Sequence, residues 1–109
     1  MAKRINFVFE GNEYTLEYTR NTIKMMESRG VVVSDIQNKP MTVLPQLFEG
    51  AFLCHHRNVK AETIQRIYDR MTNKQELIEK LSAMYSEPIQ ALFDEPEENE
   101  GNVLWEASW

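Results

Sequence analysis

The first eighteen residues alternate between apolar and polar positions in two short runs. The apolar members of these runs are Ile5, Phe7, Phe9, Tyr14, Leu16 and Tyr18. Between the runs, Gly11-Asn12 is a Gly-X pair of the kind that favours a two-residue type II′ turn. The pairs expected from that turn are Phe9 with Tyr14, Phe7 with Leu16, and Ile5 with Tyr18. All six side chains would then share one face, because side chains alternate along a strand.

The pattern therefore predicts an N-terminal antiparallel β-hairpin, whose apolar face the rest of the chain must cover. An amphipathic helix is predicted next, over about Asn21–Arg29. Ile23 and Met26 form its inward stripe, and Thr19 or Asn21 can cap its first turn.

Gly30 follows this first helix, and a glycine in the left-handed conformation commonly ends a helix. The next three residues, Val31–Val33, are all β-branched. They favour either a short third strand or a segment that crosses the edge of the core. The polar stretch Ser34–Pro40 is predicted to be a loop.

The second predicted helix has the most regular apolar spacing in the chain and runs from Met41 or Thr42 to about His56. Its apolar stripe recurs at intervals of three and four and consists of Leu44, Leu47, Phe48, Ala51, Phe52 and His55. Pro45 falls in the first turn, where a missing amide hydrogen costs little. Because of this stripe, we expect the helix to lie at the centre of the core.

Two more helices are predicted after it. The third covers about Lys60–Met71, with Asn58 as its cap, and its inward residues are Ala61, Ile64, Ile67, Tyr68 and Met71. Asn73 with Glu76 resembles a capping box and opens the fourth helix. The apolar stripe of the fourth helix consists of Leu77, Ile78, Leu81, Met84 and Tyr85.

Pro88 interrupts the stripe of the fourth helix. Either the helix kinks there, or it ends and Ser86 caps a new short turn. Beyond the proline, Ile89, Leu92 and Phe93 continue the apolar pattern. The predicted fold class is therefore α+β, with a β-hairpin packed on about four α-helices, in a single domain over residues 1–93.

Residues 94–109 differ sharply in composition from this domain. Six of the 17 acidic residues lie there, with no Lys or Arg, so this tail carries −6 while the other 11 acidic residues and 12 basic residues leave +1 on the body. The acidic residues of the tail are Asp94, Glu95, Glu97, Glu98, Glu100 and Glu106. Such a stretch cannot offset the entropy cost of ordering itself, so we expect a flexible acidic tail.

Both tryptophans of the chain lie at the end of this tail. Tryptophan on a polar leash is poorly explained as core packing, although folding back onto the body would hide it. The alternative is a docking motif with indole anchors. Met25 is the body residue that the first helix leaves outside its stripe, and methionine suits adaptable contacts. The candidate partner-binding residues are Met25, Val103, Leu104, Trp105 and Trp109.

Metal and redox sites find little support in the sequence. His55 and His56 are adjacent, whereas two ligands on one helix face want a spacing of three or four, and neither Glu49 nor Cys54 completes a site convincingly. We expect His55 at the core edge, His56 in solvent, Cys54 as a small buried residue, and no metal ion. The single cysteine cannot form an intramolecular disulfide.

Catalytic patterns are equally sparse. The sequence contains no phosphate-binding glycine loop, no Ser-x-x-Lys pair and no Gly-x-Ser-x-Gly elbow. Its carboxylates mostly lie at helical spacing from basic residues, as in Glu62–Arg66 and Glu76–Lys80, which is typical of a solvated helix face. We therefore expect no enzyme activity, no catalytic residue and no cofactor.

Charge and hydropathy also limit the partners. Basic residues are scattered among acidic ones, whereas a nucleic-acid-binding protein concentrates them on one face. Apolar stretches such as Val31–Val33 and Ala51–Cys54 fall far short of the roughly 20 residues that span a bilayer. No signal peptide is visible at the N-terminus. We expect a cytoplasmic protein that binds other proteins, and neither nucleic acid nor membrane.

The order of segments resembles small tail assembly chaperones of long-tailed, siphovirus-type bacteriophages. The similar segments are Tyr14–Gly30, Met41–His56, Ile67–Asp69, Leu81–Ile89 and Trp105–Trp109. This resemblance implies a non-enzymatic helper in the host cytoplasm that keeps the tape measure protein soluble, delivers it for tail tube assembly and is absent from the virion. It further implies contact with tail tube subunits through a frameshift-extended form, and self-association.

Two other functions remain open. The acidic tail would suit a small regulatory adaptor, antitoxin-like or transcription-modulating, that inhibits a basic partner. A structural component of the tail or neck would instead remain in the virion.

Overall fold

The computed structural model describes residues 3–97 and 101–109. Its elements, in chain order, are β1 (Ile5–Phe9), β2 (Asn12–Leu16), α1 (Arg20–Ser28), α2 (Pro40–Gly50), α3 (Ala61–Arg70) and α4 (Lys74–Ala91), with a 3₁₀ turn at Val33–Asp35. The predicted α+β class is confirmed. Within the described residues, one two-stranded antiparallel sheet is followed by four α-helices.

The hairpin forms, but its register differs from the predicted one by two residues. Phe7 pairs with Tyr14, and Ile5 pairs with Leu16 rather than with Tyr18. The loop is Glu10-Gly11, not Gly11-Asn12, and both of its residues have positive φ, 50° and 80°. Positive φ at both central positions defines a type I′ turn, which matches the twist of the strands. Because a shift of two preserves the alternation, the five predicted residues that lie within the strands still share one face.

Contacts across the hairpin account for this register. The rings of Phe7 and Tyr14 stack with centroids 5.2 Å apart. At the turn, Glu10 forms an ion pair with Arg66 of α3, whose guanidinium also lies 5.6 Å from the centre of the Phe9 ring. Because the hairpin is shorter than predicted, Tyr18 lies beyond the end of β2, and its side chain is buried in the core.

Helix α1 begins and ends as the sequence predicts. Thr19 is the N-cap, and it forms a reciprocal capping box with Thr22. At the other end, Gly30 has φ +85°. The amides of Gly30 and Val31 donate to the carbonyls of Glu27 and Met26, which is the Schellman arrangement. Val31 thereby enters the core beside the helix.

The third strand proposed for Val31–Val33 is absent from the described residues. Val31 is buried, and a 3₁₀ turn starts at Val33. The other predicted alternative, a segment that crosses the edge of the core, is the one observed. Part of the predicted loop Ser34–Pro40 is therefore helical.

Helix α2 ends at Gly50, six residues before the predicted end. Beyond Gly50 the backbone forms tighter, 3₁₀-type turns, since the amides of Ala51, Phe52 and Leu53 donate to carbonyls three residues earlier. The carbonyl of Leu47 instead accepts a hydrogen bond from the buried Tyr18 hydroxyl. Within α2, Val43 is buried and the predicted stripe residue Leu44 only half-buried.

The last two helices differ from prediction mainly at their ends. The N-cap of α3 is Lys60, without a side-chain hydrogen bond, so the cap predicted at Asn58 is wrong. The predicted inward residue Ala61 is exposed. At the start of α4, Asn73 donates its side-chain amide to Glu76 at 2.6 Å, and caps no backbone amide.

Helix α4 continues through Pro88 and ends at Ala91. The predicted alternative of a helix that stops near Ser86 is therefore wrong. Leu92 and Phe93, expected to extend the apolar stripe, are exposed. Their amides donate to the carbonyls of Ile89 and Gln90, three residues earlier, so a tightened turn replaces the α-helical spacing on which the stripe depends.

The core lies between the apolar face of the hairpin and the four helices. Its largest fully buried side chains are Phe48, Phe52, Leu16, Met26, Leu47, Ile67 and Leu81. Phe52 is at the centre of an aromatic cluster, with ring centroids 6.4 Å from Phe7, 6.0 Å from Tyr14 and 5.2 Å from Phe48. The prediction that the segment from Met41 to His56 lies at the centre of the core is confirmed. No helix in the described part of the chain is long and apolar enough to cross a membrane.

Tyr18→Phe is expected to destabilise the fold by about 1–2 kcal/mol, because it leaves the Leu47 carbonyl without its side-chain partner. Burial, with a smaller contribution from Tyr85, raises the pKa of Tyr18 well above its ordinary value, so the hydroxyl keeps its proton. Thermal unfolding followed by far-UV circular dichroism should show Tm lower by roughly 4–8 °C for each kcal/mol. Tyr14→Phe is the matched control. An equal loss of stability in that variant would contradict the role assigned to the hydrogen bond between Tyr18 and Leu47.

Candidate partner-binding surfaces

The C-terminal segment Val103–Trp109 presents four large apolar side chains to solvent. Trp105 is 83% exposed and Trp109 102% exposed, and Val103 and Leu104 are equally open. The segment has no regular secondary structure. Monomeric proteins rarely leave this much contiguous apolar surface uncovered without a binding role. The structure thus places four of the five sequence-predicted contact residues together on one accessible segment.

Acidic residues separate this segment from the body. Asp94, Glu95 and Glu97 are exposed and lie outside regular secondary structure. Glu98 and Glu100, also predicted to belong to the acidic leash, lie outside the described residues. Charges of one sign along a linker repel and extend it. The arrangement therefore favours an indole pair held away from the body.

Met25, the fifth predicted contact residue, is half-buried on α1 and does not stand fully in solvent. Its neighbours in the predicted stripe, Ile23 and Met26, are buried as expected. Met25 therefore offers only part of its side chain for contact, and its role in binding stays a prediction.

A second apolar surface, the α2–α3 groove, was not predicted. It has a volume of about 350 Å³. Its main apolar lining residues are Pro40, Met41, Leu44, Phe48, Ile64 and Tyr68. Met41 is 89% exposed. The spacing of Met41, Leu44 and Phe48 places them along one side of α2, but spacing alone does not tell a covered stripe from an open one.

The rim of the α2–α3 groove is acidic. Glu49 and Asp69 line it beside the uncharged Gln65. An apolar floor with acidic edges suits the apolar face of an amphipathic helix that carries Lys or Arg at its margins. The groove is therefore a candidate docking site on the body, chemically distinct from the C-terminal segment.

A polar cluster surrounds the buried carboxylate of Glu17. Glu17 is only 6% exposed, and its Oε1 accepts from Arg4 Nε at 3.0 Å and contacts His55 Nε2 at 2.7 Å. Glu17 lies between the apolar residues Leu16 and Tyr18, at a polar position of the alternation. It is buried because its own backbone amide bonds to the Ala51 carbonyl at 3.1 Å, which draws the turn after α2 over it.

The two histidines exchange their predicted environments. His56, expected in solvent, is half-buried, and its Nε2 accepts from the Thr15 amide at 2.9 Å. Its ring also lies 5.1 Å from that of Tyr14. Burial lowers the pKa of His56, with His55 adding to the effect, which agrees with a neutral ring that accepts a hydrogen bond. His55, expected at the core edge, is the more exposed of the two.

Cys54 is half-buried beside this cluster. Burial raises the pKa of its thiol, and the charge of Glu17 raises it further, against a smaller opposite effect from Arg4 and Arg57. A thiol with a raised pKa is a poor nucleophile at neutral pH. Glu49, considered beside Cys54 in the sequence, lies instead on the rim of the α2–α3 groove.

The fold and these surfaces define a small α+β domain that displays an aromatic C-terminal segment and an open apolar groove between α2 and α3. The chain matches, over residues 1–109, the family described as "Domain of unknown function (DUF5055)", and it belongs to that family. No curated protein and no solved structure matches it significantly.

Proposed function

We propose that this protein is a phage tail assembly chaperone that binds the tape measure protein and keeps it soluble until the tail tube forms. The observation that carries the proposal is the exposed C-terminal segment, with two tryptophans on an acidic leash. A chaperone of this kind needs apolar contact surface and solubilising charge, and no chemistry. The likeness of several segments to tail assembly chaperones supports the same conclusion.

The energetics of the C-terminal segment suit reversible binding. Two indoles that each bury about 200 Å² would contribute roughly 10 kcal/mol in total at 25 cal/mol per Å². Ordering seven residues of backbone costs a similar amount, at about 1–2 kcal/mol for each. One segment alone therefore binds weakly, and useful affinity requires a second contact or several linked copies. A chaperone that must release its client benefits from this balance.

The α2–α3 groove can supply the second contact. Its apolar lining and acidic rim complement an amphipathic helix with basic margins, and the family resemblance implies a client rich in helices. Contact with tail tube subunits, through an extended form of the chain, belongs to the same proposal.

Co-expression with the long, helix-rich protein encoded nearby tests this function. The soluble fraction of that protein should rise several-fold with the full chain, and less with Met41→Glu, which places a charge in the groove. If solubility does not change with the wild-type chain, the proposal fails. Mass spectrometry of purified virions should detect the client but not this chain. A structural component of the tail would instead be detected in the virions together with the client.

The acidic leash supports one competing function, a regulatory adaptor that inhibits a basic partner. Such binding would depend on long-range charge and would weaken steeply as salt rises from low to physiological concentration. Chaperone binding should weaken much less over that range, because the indoles and the apolar floor of the groove dominate it and the groove adds only two rim carboxylates, Glu49 and Asp69. A pull-down from infected cells at two salt concentrations separates the two functions.

A further inference from the structure

Three side chains with metal-binding atoms meet where the hairpin contacts the turn after α2. They are Glu17, Cys54 and His55, and their ligand atoms all lie within 4.8 Å of one another. Two hydrogen bonds join the two segments at this point: the Glu17 amide donates to the Ala51 carbonyl, and the Thr15 amide donates to Nε2 of the His56 side chain. The fold itself therefore brings the three ligands together.

We propose that Glu17, Cys54 and His55 bind one divalent transition metal ion, with Zn²⁺ as the best-matched ion. A thiolate sulfur, an imidazole nitrogen and a carboxylate oxygen are the donor types that zinc takes in proteins. Calcium and magnesium prefer all-oxygen sites, so a site that includes a thiolate excludes them. On binding, the Cys54 thiol releases its proton to solvent and the sulfur forms a bond to the metal.

The distances allow a tetrahedral site after small side-chain rotations. Zinc bonds of about 2.0–2.3 Å hold neighbouring ligand atoms roughly 3.3–3.8 Å apart. His55 Nε2 now lies 2.7 Å from Glu17 Oε1, where the two atoms share a hydrogen. A metal ion would take the place of that hydrogen, and the distance between the two atoms would increase by about 0.6 Å, to about 3.3 Å. The partly exposed ring of His55 leaves one side of the site open to a water molecule as the fourth ligand.

Arg4 has the position of an outer-shell partner in this arrangement. Its Nε donates to Glu17 Oε1 at 3.0 Å, which orients the carboxylate. A carboxylate removed from water needs compensation, and in the metal-free chain Arg4 and His55 provide it. In the bound state, the two negative ligands would balance the charge of the ion, and Arg4 would keep its hydrogen bond at the solvent edge.

Cobalt substitution tests the site directly in the full-length, reduced protein. Titration with Co²⁺ should give one equivalent of binding, with a thiolate-to-cobalt charge-transfer band and the visible bands of a tetrahedral ion, and Zn²⁺ should displace them. Cys54→Ser and His55→Asn should each weaken binding at least as much as the loss of an outer-shell partner does, about 10–100-fold. Cys54→Ala replaces the serine variant if that variant does not fold.

A nearby acid serves as the matched control. Glu13 is exposed on β2 and is not one of the three clustered ligands. Glu13→Gln should leave cobalt affinity unchanged in a sample whose circular dichroism matches the wild type. The absence of a charge-transfer band, or undiminished binding by the Cys54 or His55 variants, would overturn the proposal. The site does not depend on the chaperone function, and either can fail without the other.

Discussion

Phe52→Ala should lower the free energy of unfolding by about 3–5 kcal/mol, the usual cost of removing a fully buried phenylalanine. Phe52 is 1% exposed, and its ring joins the hairpin residues Phe7 and Tyr14 to Phe48 on α2. The cavity would therefore open between the two halves of the only core in the described residues. Since small domains are stable by about 5–15 kcal/mol, this single change should leave the fold marginal at physiological temperature.

Urea unfolding monitored by far-UV circular dichroism measures this effect. Phe93→Ala provides a matched control, because Phe93 is the same residue type but is 82% exposed, so its replacement should change stability by less than about 0.5 kcal/mol. Similar losses for the two variants would contradict the central position of Phe52. A large loss at Phe93 alone would indicate that the end of α4 is covered in solution.

The hairpin shows which part of a strand pairing a sequence can specify. The alternation from Ile5 to Tyr18 identifies the apolar face, because every register that differs by two residues preserves that face. The choice between a turn at Glu10-Gly11 and one at Gly11-Asn12 depends on contacts made far away in sequence. These include the Glu10–Arg66 ion pair, which no local pattern contains.

The end of α2 was mispredicted for a similar reason. Apolar residues continue at helical spacing through Phe52 and His55. A 3₁₀-type turn contains about 3.0 residues and an α-helical turn about 3.6, so the two give almost the same apolar spacing over such a short segment. A tertiary contact ends the α-helical hydrogen-bond pattern. Tyr18 donates to the Leu47 carbonyl, while Ala51 bonds to Phe48 instead.

The candidate sites were unequally visible in the sequence. The C-terminal segment could be found because two tryptophans beyond a strongly acidic stretch have no packing pattern to join. The polar cluster around Glu17 could not, since Glu17 lies more than 30 residues before Cys54 and His55 and no local pattern joins them. Exposed residues of the α2–α3 groove, such as Met41, were missed because helical spacing predicts a stripe but not the neighbour that covers it.

Replacing both Trp105 and Trp109 with Ala should weaken binding to the helix-rich client by about 30–1000-fold, equivalent to the 2–4 kcal/mol typical of aromatic hot spots. Neither indole contributes to the core, since both side chains are exposed. The double variant should therefore unfold at the same urea concentration as the wild type, within about 0.5 kcal/mol in free energy. A loss of binding without a loss of stability would assign the effect to the segment itself.

Fluorescence can follow this segment selectively, because both tryptophans of the chain lie within it. Client binding to the wild-type chain should shift indole emission to shorter wavelength as the rings leave water. Trp105→Phe and Trp109→Phe, made singly, should retain part of the affinity, since an aromatic ring remains to fill each pocket. Phe93→Ala removes an exposed aromatic residue outside the segment and should leave affinity unchanged. If the double alanine variant binds the client as well as the wild type does, the C-terminal segment is not the docking element, and the α2–α3 groove would have to account for binding alone.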